Sequence, residues 1–210
     1  MDLGSRLLAD TARLSAKYNK PIIIGESGLN ALPPDNAQGS GELPNAQIGM
    51  EHAIWSEAVS GVMDGRALYW EDAYGIYFSS LGWPYLLRKT DLERPVARFV
   101  SGVAMAGFKR LSAATTGSIT GAVLGDGSTM IGWYRDSSCV PPQFAMLPVV
   151  SKQTVTVTVP GAATSWRVDF YDTTTGTTIL SSTNVTRKGN TIAIPLPDFK
   201  DDIAFKAYSQ

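Results

Sequence analysis

The stretch "KPIIIGESG", residues 20–28, is where the fold of this chain is decided. Three isoleucines in a row, without alternation, suit a strand buried on both faces, as in a parallel sheet, better than a strand with one wet side. Pro21 stops a preceding helix from running into the strand, and Gly25 closes it, so Glu26 falls at its C-terminal tip. A carboxylate in that place is either a solvated residue at a strand end or a group aimed into a ligand site.

Working outward, Leu3, Leu7, Leu8, Leu14 and Tyr18 recur on one helical face and predict a first helix that stops at "NKP", residues 19–21. Residues 27–44 are rich in Gly, Pro and Asn and read as a long loop beside Glu26, a length more often functional than idle. Ile48, His52, Trp55 and Val59 predict a second helix over 45–60, ending at Ser60-Gly61. A second buried strand, "RALYW" at 66–70, opens into "EDAYGIYFSSLGWPY", 71–85, a loop of aromatic and acidic residues. Leu92, Val96, Phe99, Val100 and Val103 predict a third helix over roughly 91–107, with Pro95 placed in its first turn. The order helix, strand, helix, strand, helix makes the two strands parallel, with right-handed crossovers and both tips on one side.

Beyond residue 107 the pattern changes. "SITGAVLGDGSTMIGWYRD", 118–136, places two strand patterns around Gly125-Asp126-Gly127, a hairpin signal. "TVTVTV" at 154–159 alternates strictly, Trp166, Val168 and Phe170 alternate with Arg167, Asp169 and Tyr171, and "TIAI" and "DIAFKAY" close the chain. The expected fold class is therefore α/β plus all-β: a partial (β/α) barrel with two parallel strands over 1–107, then a small antiparallel β-sandwich over 108–210.

Composition narrows the function. Eighteen basic against nineteen acidic residues give a net charge of -1 and no block of like charge, which argues against nucleic acid and anionic membranes as partners. No segment reaches the roughly 18 apolar residues that span a bilayer, and the first residues lack the basic-then-apolar order of a signal peptide, so no compartment is assigned. With one cysteine, Cys139, and one histidine, neither an internal disulfide nor a Cys/His zinc cluster is available within a chain. The expectation is no metal and no cofactor.

The strings "KPIIIGESG", "HAIWSEAVSG" (52–61) and "GRALYW" (65–70) together resemble the last quarter of the clan A glycoside hydrolases, the (β/α)8 retaining glycosidases that include cellulases and mannanases. The resemblance covers about residues 1–107, and "WRVDFYDTTTG" (166–176) is similar to the β-sandwich that follows such barrels. It implies that Glu26 is the nucleophile and Trp70 a sugar platform. Glu71, Asp72 and Trp83 then become substrate contacts, as does His52 if it is not simply packed in the helix face. Trp70, Trp83, Tyr74, Tyr77 and Tyr85 have an equally plain role in packing the strand mouth and loop.

The chain departs from the clan in having no Asn-Glu dipeptide to carry the acid/base. Retaining hydrolysis needs two carboxyl groups about 5 to 5.5 Å apart, and Glu26 supplies only one. Glu71 or Asp72 could replace the missing acid. Two parallel strands also leave most of a barrel unbuilt, so a homo-oligomer, a complementing barrel chain or a longer polypeptide is expected to supply the rest. Three functions follow: a glycosidase or its C-terminal portion acting on a β-linked oligo- or polysaccharide, a carbohydrate-binding module without chemistry, and a structural assembly unit.

Overall fold

The computed structural model describes residues 3–20, 22–24, 43–61, 89–140 and 148–210, and among them the chain is mixed helix and antiparallel sheet, with sheet predominating. Helix α1 spans Leu3–Tyr18, α2 Leu43–Ser60 and α3 Lys89–Val100. Among the described residues nine strands follow: β1 Lys109–Arg110, β2 Ala113–Thr115, β3 Ile119–Gly125, β4 Thr129–Asp136, β5 Thr154–Thr158, β6 Ser165–Tyr171, β7 Ile179–Thr186, β8 Thr191–Pro195 and β9 Asp202–Ser209. Six of them form a sheet in the order β1-β3-β4-β9-β6-β7, and three form a second sheet, β2-β5-β8, with every strand pair antiparallel.

Strand β4 shows how the layers are stacked. Met130 and Tyr134 enter one apolar cluster, whereas Ile131 and Trp133, on the opposite face, enter the other. This is the period-2 alternation of a strand, with both sides apolar because both are covered. On one side the helices bring Leu7, Leu8, Trp55, Val59 and Phe99 against the six-stranded sheet. On the other, Val155, Val157, Ile192 and Ile194 of the three-stranded sheet pack against Val123, Tyr134, Val168 and Phe205. Helix α2 packs against α1, α3 and the sheet, and Met50, His52, Ala53, Ile54, Trp55 and Val59 are all buried, as in a helix enclosed on most of its circumference.

Three sequence expectations are corrected. Helix α3 begins at Lys89 and ends at Val100, so Pro95 sits in the second turn, where its missing N–H removes one helical hydrogen bond, rather than in the first. Gly102 at φ +76° ends the helix, and Val103 donates its backbone N–H to the Val100 carbonyl, so Val103 lies outside it. The isoleucine run is not buried on both faces: Ile22 and Ile24 are half-buried, but Ile23 is 65% exposed. Among residues 22–24 only Ile22 makes a β-bridge and no strand forms, so the expected first parallel strand is not seen over its described residues. The second expected parallel strand, 66–70, lies outside the described residues, as do the loops at 27–42 and 71–85.

The hairpin at Gly125-Asp126-Gly127 forms as its turn chemistry directs. Asp126 Oδ1 accepts from the backbone N–H of Ser128 (2.7 Å), the Ser128 hydroxyl (2.8 Å) and the backbone N–H of Thr129 (2.8 Å). The turn after β6 depends on Gly176, at φ +68°, where a Cβ would come within 1.8 Å of the Pro95 carbonyl oxygen. Only glycine lets that turn rest directly on the backbone of α3.

Candidate functional site

Glu26, Trp70, Glu71, Asp72 and Trp83 lie outside the described residues, so of the expected site residues only His52 has a described setting. It is buried in α2, 1% exposed, with its ring 5.7 Å from that of Trp133 and tilted 56° to it. Its Nε2 lies 2.8 Å from Asp201 Oδ1.

Around His52 the tertiary structure gathers groups that are remote in sequence. Asp201, at φ +67°, occupies the left-handed turn just before β9, a conformation Asp tolerates better than most residues. Its carboxylate accepts from the Cys139 thiol as well, at 2.9 Å. Cys139 follows β4 in a turn built on Asp136, whose Oδ1 accepts from the N–H and hydroxyl of Ser138 (2.8 and 2.7 Å). The buried Arg135 holds that turn, donating to the carbonyls of Asp136 (2.9 Å) and Cys139 (2.7 Å) and, from its other terminal nitrogen, to the Ser5 hydroxyl of α1 (2.7 Å). The ligand-type atoms of His52, Cys139 and Asp201 all lie within 4.8 Å of one another.

Next to this cluster Asp202 is buried and fully engaged, accepting from the Trp133 indole N–H at Oδ2 (2.7 Å) and from the Thr173 hydroxyl at Oδ1 (2.6 Å). A pocket of about 220 Å³ opens alongside, lined by Glu51, Asp172, Asp198, Asp201 and Asp202 with Lys200. Five carboxyl groups against one ammonium make it strongly acidic. Burial, then the charges of Asp202, Asp201 and Asp172, push the Glu51 carboxyl up to about 8. Burial, reinforced by Asp201, pushes Asp202 up to about 6, against the pull of His52, Thr173 and Trp133. Asp201 goes the other way: burial raises it, but His52, the Cys139 thiol and Arg135 outweigh burial and hold it below its ordinary value. Burial and the hydrogen bond to Asp201 push the Cys139 thiol up. At neutral pH the pocket therefore pairs a protonated Glu51 with an ionised Asp201, the divergence that lets two carboxyls take different roles.

Sequence reasoning missed Glu51, Cys139, Asp201 and Asp202 as site residues. Glu51 adjoined His52 but carried no motif, and Cys139 entered only as the reason a disulfide was excluded. Nothing in the spacing of residues 51, 139 and 201 links them, because only the stacking of α2 on β4 and β9 brings them together.

No protein-family description matches the chain, and no curated protein does. Its structural neighbours include a GH30 endoxylanase from Clostridium papyrosolvens C71, at 12% identity and a TM-score of 0.49, covering 97% of this chain and 46% of the other. Another is the family 30 subfamily 8 xylanase Xyn30A from Clostridium acetobutylicum, at 13% identity and a TM-score of 0.44, covering 94% and 45%. A third is a family 44 endoglucanase from Clostridium acetobutylium ATCC 824, at 13% identity and a TM-score of 0.45, covering 97% and 35%. The chain thus spans less than half the length of each of these neighbours.

Proposed function

We propose that this chain is the C-terminal portion of a retaining glycoside hydrolase of the clan A type, acting on a β-linked carbohydrate, with Glu26 as nucleophile and the acid/base contributed from outside residues 1–210. The observation that carries the reading is the sequence string "PIIIGE", residues 21–26, which ends an apolar run on a carboxylate and resembles the strand tip at which the clan carries its nucleophile. The helices support it: α1 precedes that string, and α2 and α3 bracket "RALYW", the order that two parallel strands with crossovers require. In this reading residues 1–107 are the end of a barrel, and the two sheets that follow are its appended β-sandwich. The missing strands come from a longer polypeptide, a partner chain or further copies, two strands per chain making four copies a closed eight-stranded barrel. Trp70 is the sugar platform, with Glu71, Asp72 and Trp83 at the rim.

The nucleophile can be tested without the missing acid. A 2-deoxy-2-fluoroglycosyl fluoride carries a leaving group that departs unprotonated: the Glu26 carboxylate forms a bond to the anomeric carbon as the carbon–fluorine bond breaks and fluoride leaves with the electron pair. Mass spectrometry of the digested chain should locate one sugar on Glu26, and Glu26→Gln should take up none. A panel of such fluorides that labels nothing, or labels elsewhere, removes the nucleophile. The absence of an Asn-Glu pair favours a second reading, a carbohydrate-binding module descended from such an enzyme, which would bind oligosaccharides in calorimetry while remaining unlabelled.

A further inference from the structure

We propose that His52, Cys139 and Asp201 form a binding site for one divalent transition-metal ion, zinc by the character of its ligands, at the junction of α2 with the ends of β4 and β9. The count of one cysteine and one histidine excluded a Cys/His cluster, but it left out a carboxylate as a third ligand. Nitrogen, sulfur and oxygen together are the ligand set of zinc and its neighbours, whereas calcium and magnesium take oxygen alone.

The geometry supports the assignment. A tetrahedral zinc with bonds of about 2.0 to 2.3 Å holds its ligand atoms roughly 3.4 to 3.7 Å apart. Here Asp201 Oδ1 lies 2.8 Å from His52 Nε2 and 2.9 Å from Cys139 Sγ, and no pair of the three ligand atoms exceeds 4.8 Å. Sulfur is larger than nitrogen or oxygen, so 2.9 Å is a close approach for a thiol donor and a carboxylate. A displacement of less than about 1 Å at Asp201, which is 30% exposed on a turn, would open both contacts to coordination spacing.

The supporting shell is in place. Arg135 ties the Cys139 turn to α1 through Ser5, and Trp133 packs against the imidazole, so the two buried ligands are held by groups that do not themselves ligate. Asp201 also lines the acidic pocket, which gives the ion a path from solvent and leaves its fourth position to water or a pocket carboxylate. Binding takes Cys139 as thiolate, its proton passing to solvent. The thiolate and the Asp201 carboxylate then balance the two charges of the ion. This site is independent of Glu26 and stands or falls without it.

The test uses the full chain, stripped with a chelator and dialysed, then titrated separately with Co2+ and Zn2+ at fixed pH. One equivalent of Co2+ should produce a thiolate-to-cobalt charge-transfer band, and Zn2+ should bleach it. Because Cys139 is the single cysteine, that band assigns the ligand in the unaltered protein. Cys139→Ser should lose the band and bind Zn2+ at least about tenfold more weakly, with its circular dichroism unchanged. No charge-transfer band at saturating Co2+ overturns the proposal, as does Zn2+ affinity that Cys139→Ser leaves unaltered.

Discussion

The indole nitrogen of Trp133, on β4, donates to Asp202 Oδ2 at 2.7 Å, and both residues are buried where α2 meets the six-stranded sheet. The other Asp202 oxygen accepts from Thr173 at 2.6 Å, so one carboxylate satisfies two buried donors from different strands and turns. Asp202→Ala strands both donors and should destabilise the fold by about 2 to 4 kcal/mol in urea unfolding, while Asp202→Asn, which keeps one acceptor oxygen, should lose less.

The same carboxyl cluster sets a pH dependence. Glu51, pushed up to about 8, and Asp202, pushed up to about 6, both hold a proton more tightly folded than unfolded. The folded state therefore binds more protons than the unfolded one between about pH 4 and 8, and its stability falls as pH rises through that window. Asp201 contributes oppositely: its lowered value adds stability above the ordinary carboxylate range and loses it as pH falls below. With chelator present, the urea midpoint should decline from pH 5 to pH 8, and Glu51→Gln should flatten most of that decline. An unchanged slope in the variant would assign the effect elsewhere.

Gly176→Ala tests the contact between the turn after β6 and helix α3. The new methyl would meet the Pro95 carbonyl at 1.8 Å, and the residue would have to keep φ at +68°. Both effects oppose the substitution, so a loss of about 2 kcal/mol or more is expected, read as a lower melting temperature. An equally stable variant would mean that the turn is free to lift from the helix.

Asp126→Ala removes the acceptor of three local hydrogen bonds in the β3–β4 turn. Those bonds, the backbone N–H of Ser128 first, hold the Asp126 carboxyl below its usual range. Its contribution is present once the carboxylate is ionised and fades as pH falls through its lowered value. A loss of about 1 kcal/mol at neutral pH is expected, and Asp126→Asn, which keeps an acceptor oxygen, should recover part of it.

Local chemistry was legible where it acts over a few residues. Gly125-Asp126-Gly127 announced its hairpin because the turn needs only its own side chains, and the alternation in 154–159 and 166–171 announced β5 and β6 because each has a buried face. Strand β7, "ILSSTNVT", was not legible: its Ile179, Leu180 and most of its polar residues are exposed, and pairing with β6 is what makes it a strand. Pro95 misplaced the start of α3 because proline is common in a first turn, whereas here the helix accepts the missing hydrogen bond and uses the Pro95 carbonyl as a seat for Gly176.

The sequence by itself determined where the helices lie, though not where α3 starts and stops, together with the turn chemistry and the antiparallel strands with buried faces, since each follows from periodicity and from side-chain bonds to nearby backbone. It also singled out His52, as a member of a helical stripe. Only the tertiary structure decided what His52 faces: Asp201 is 149 residues away, and Cys139 reaches it from the end of another strand. The cluster and the acidic pocket are products of layer stacking, in which desolvation and the crowding of like charges arise between segments that carry no mark of one another.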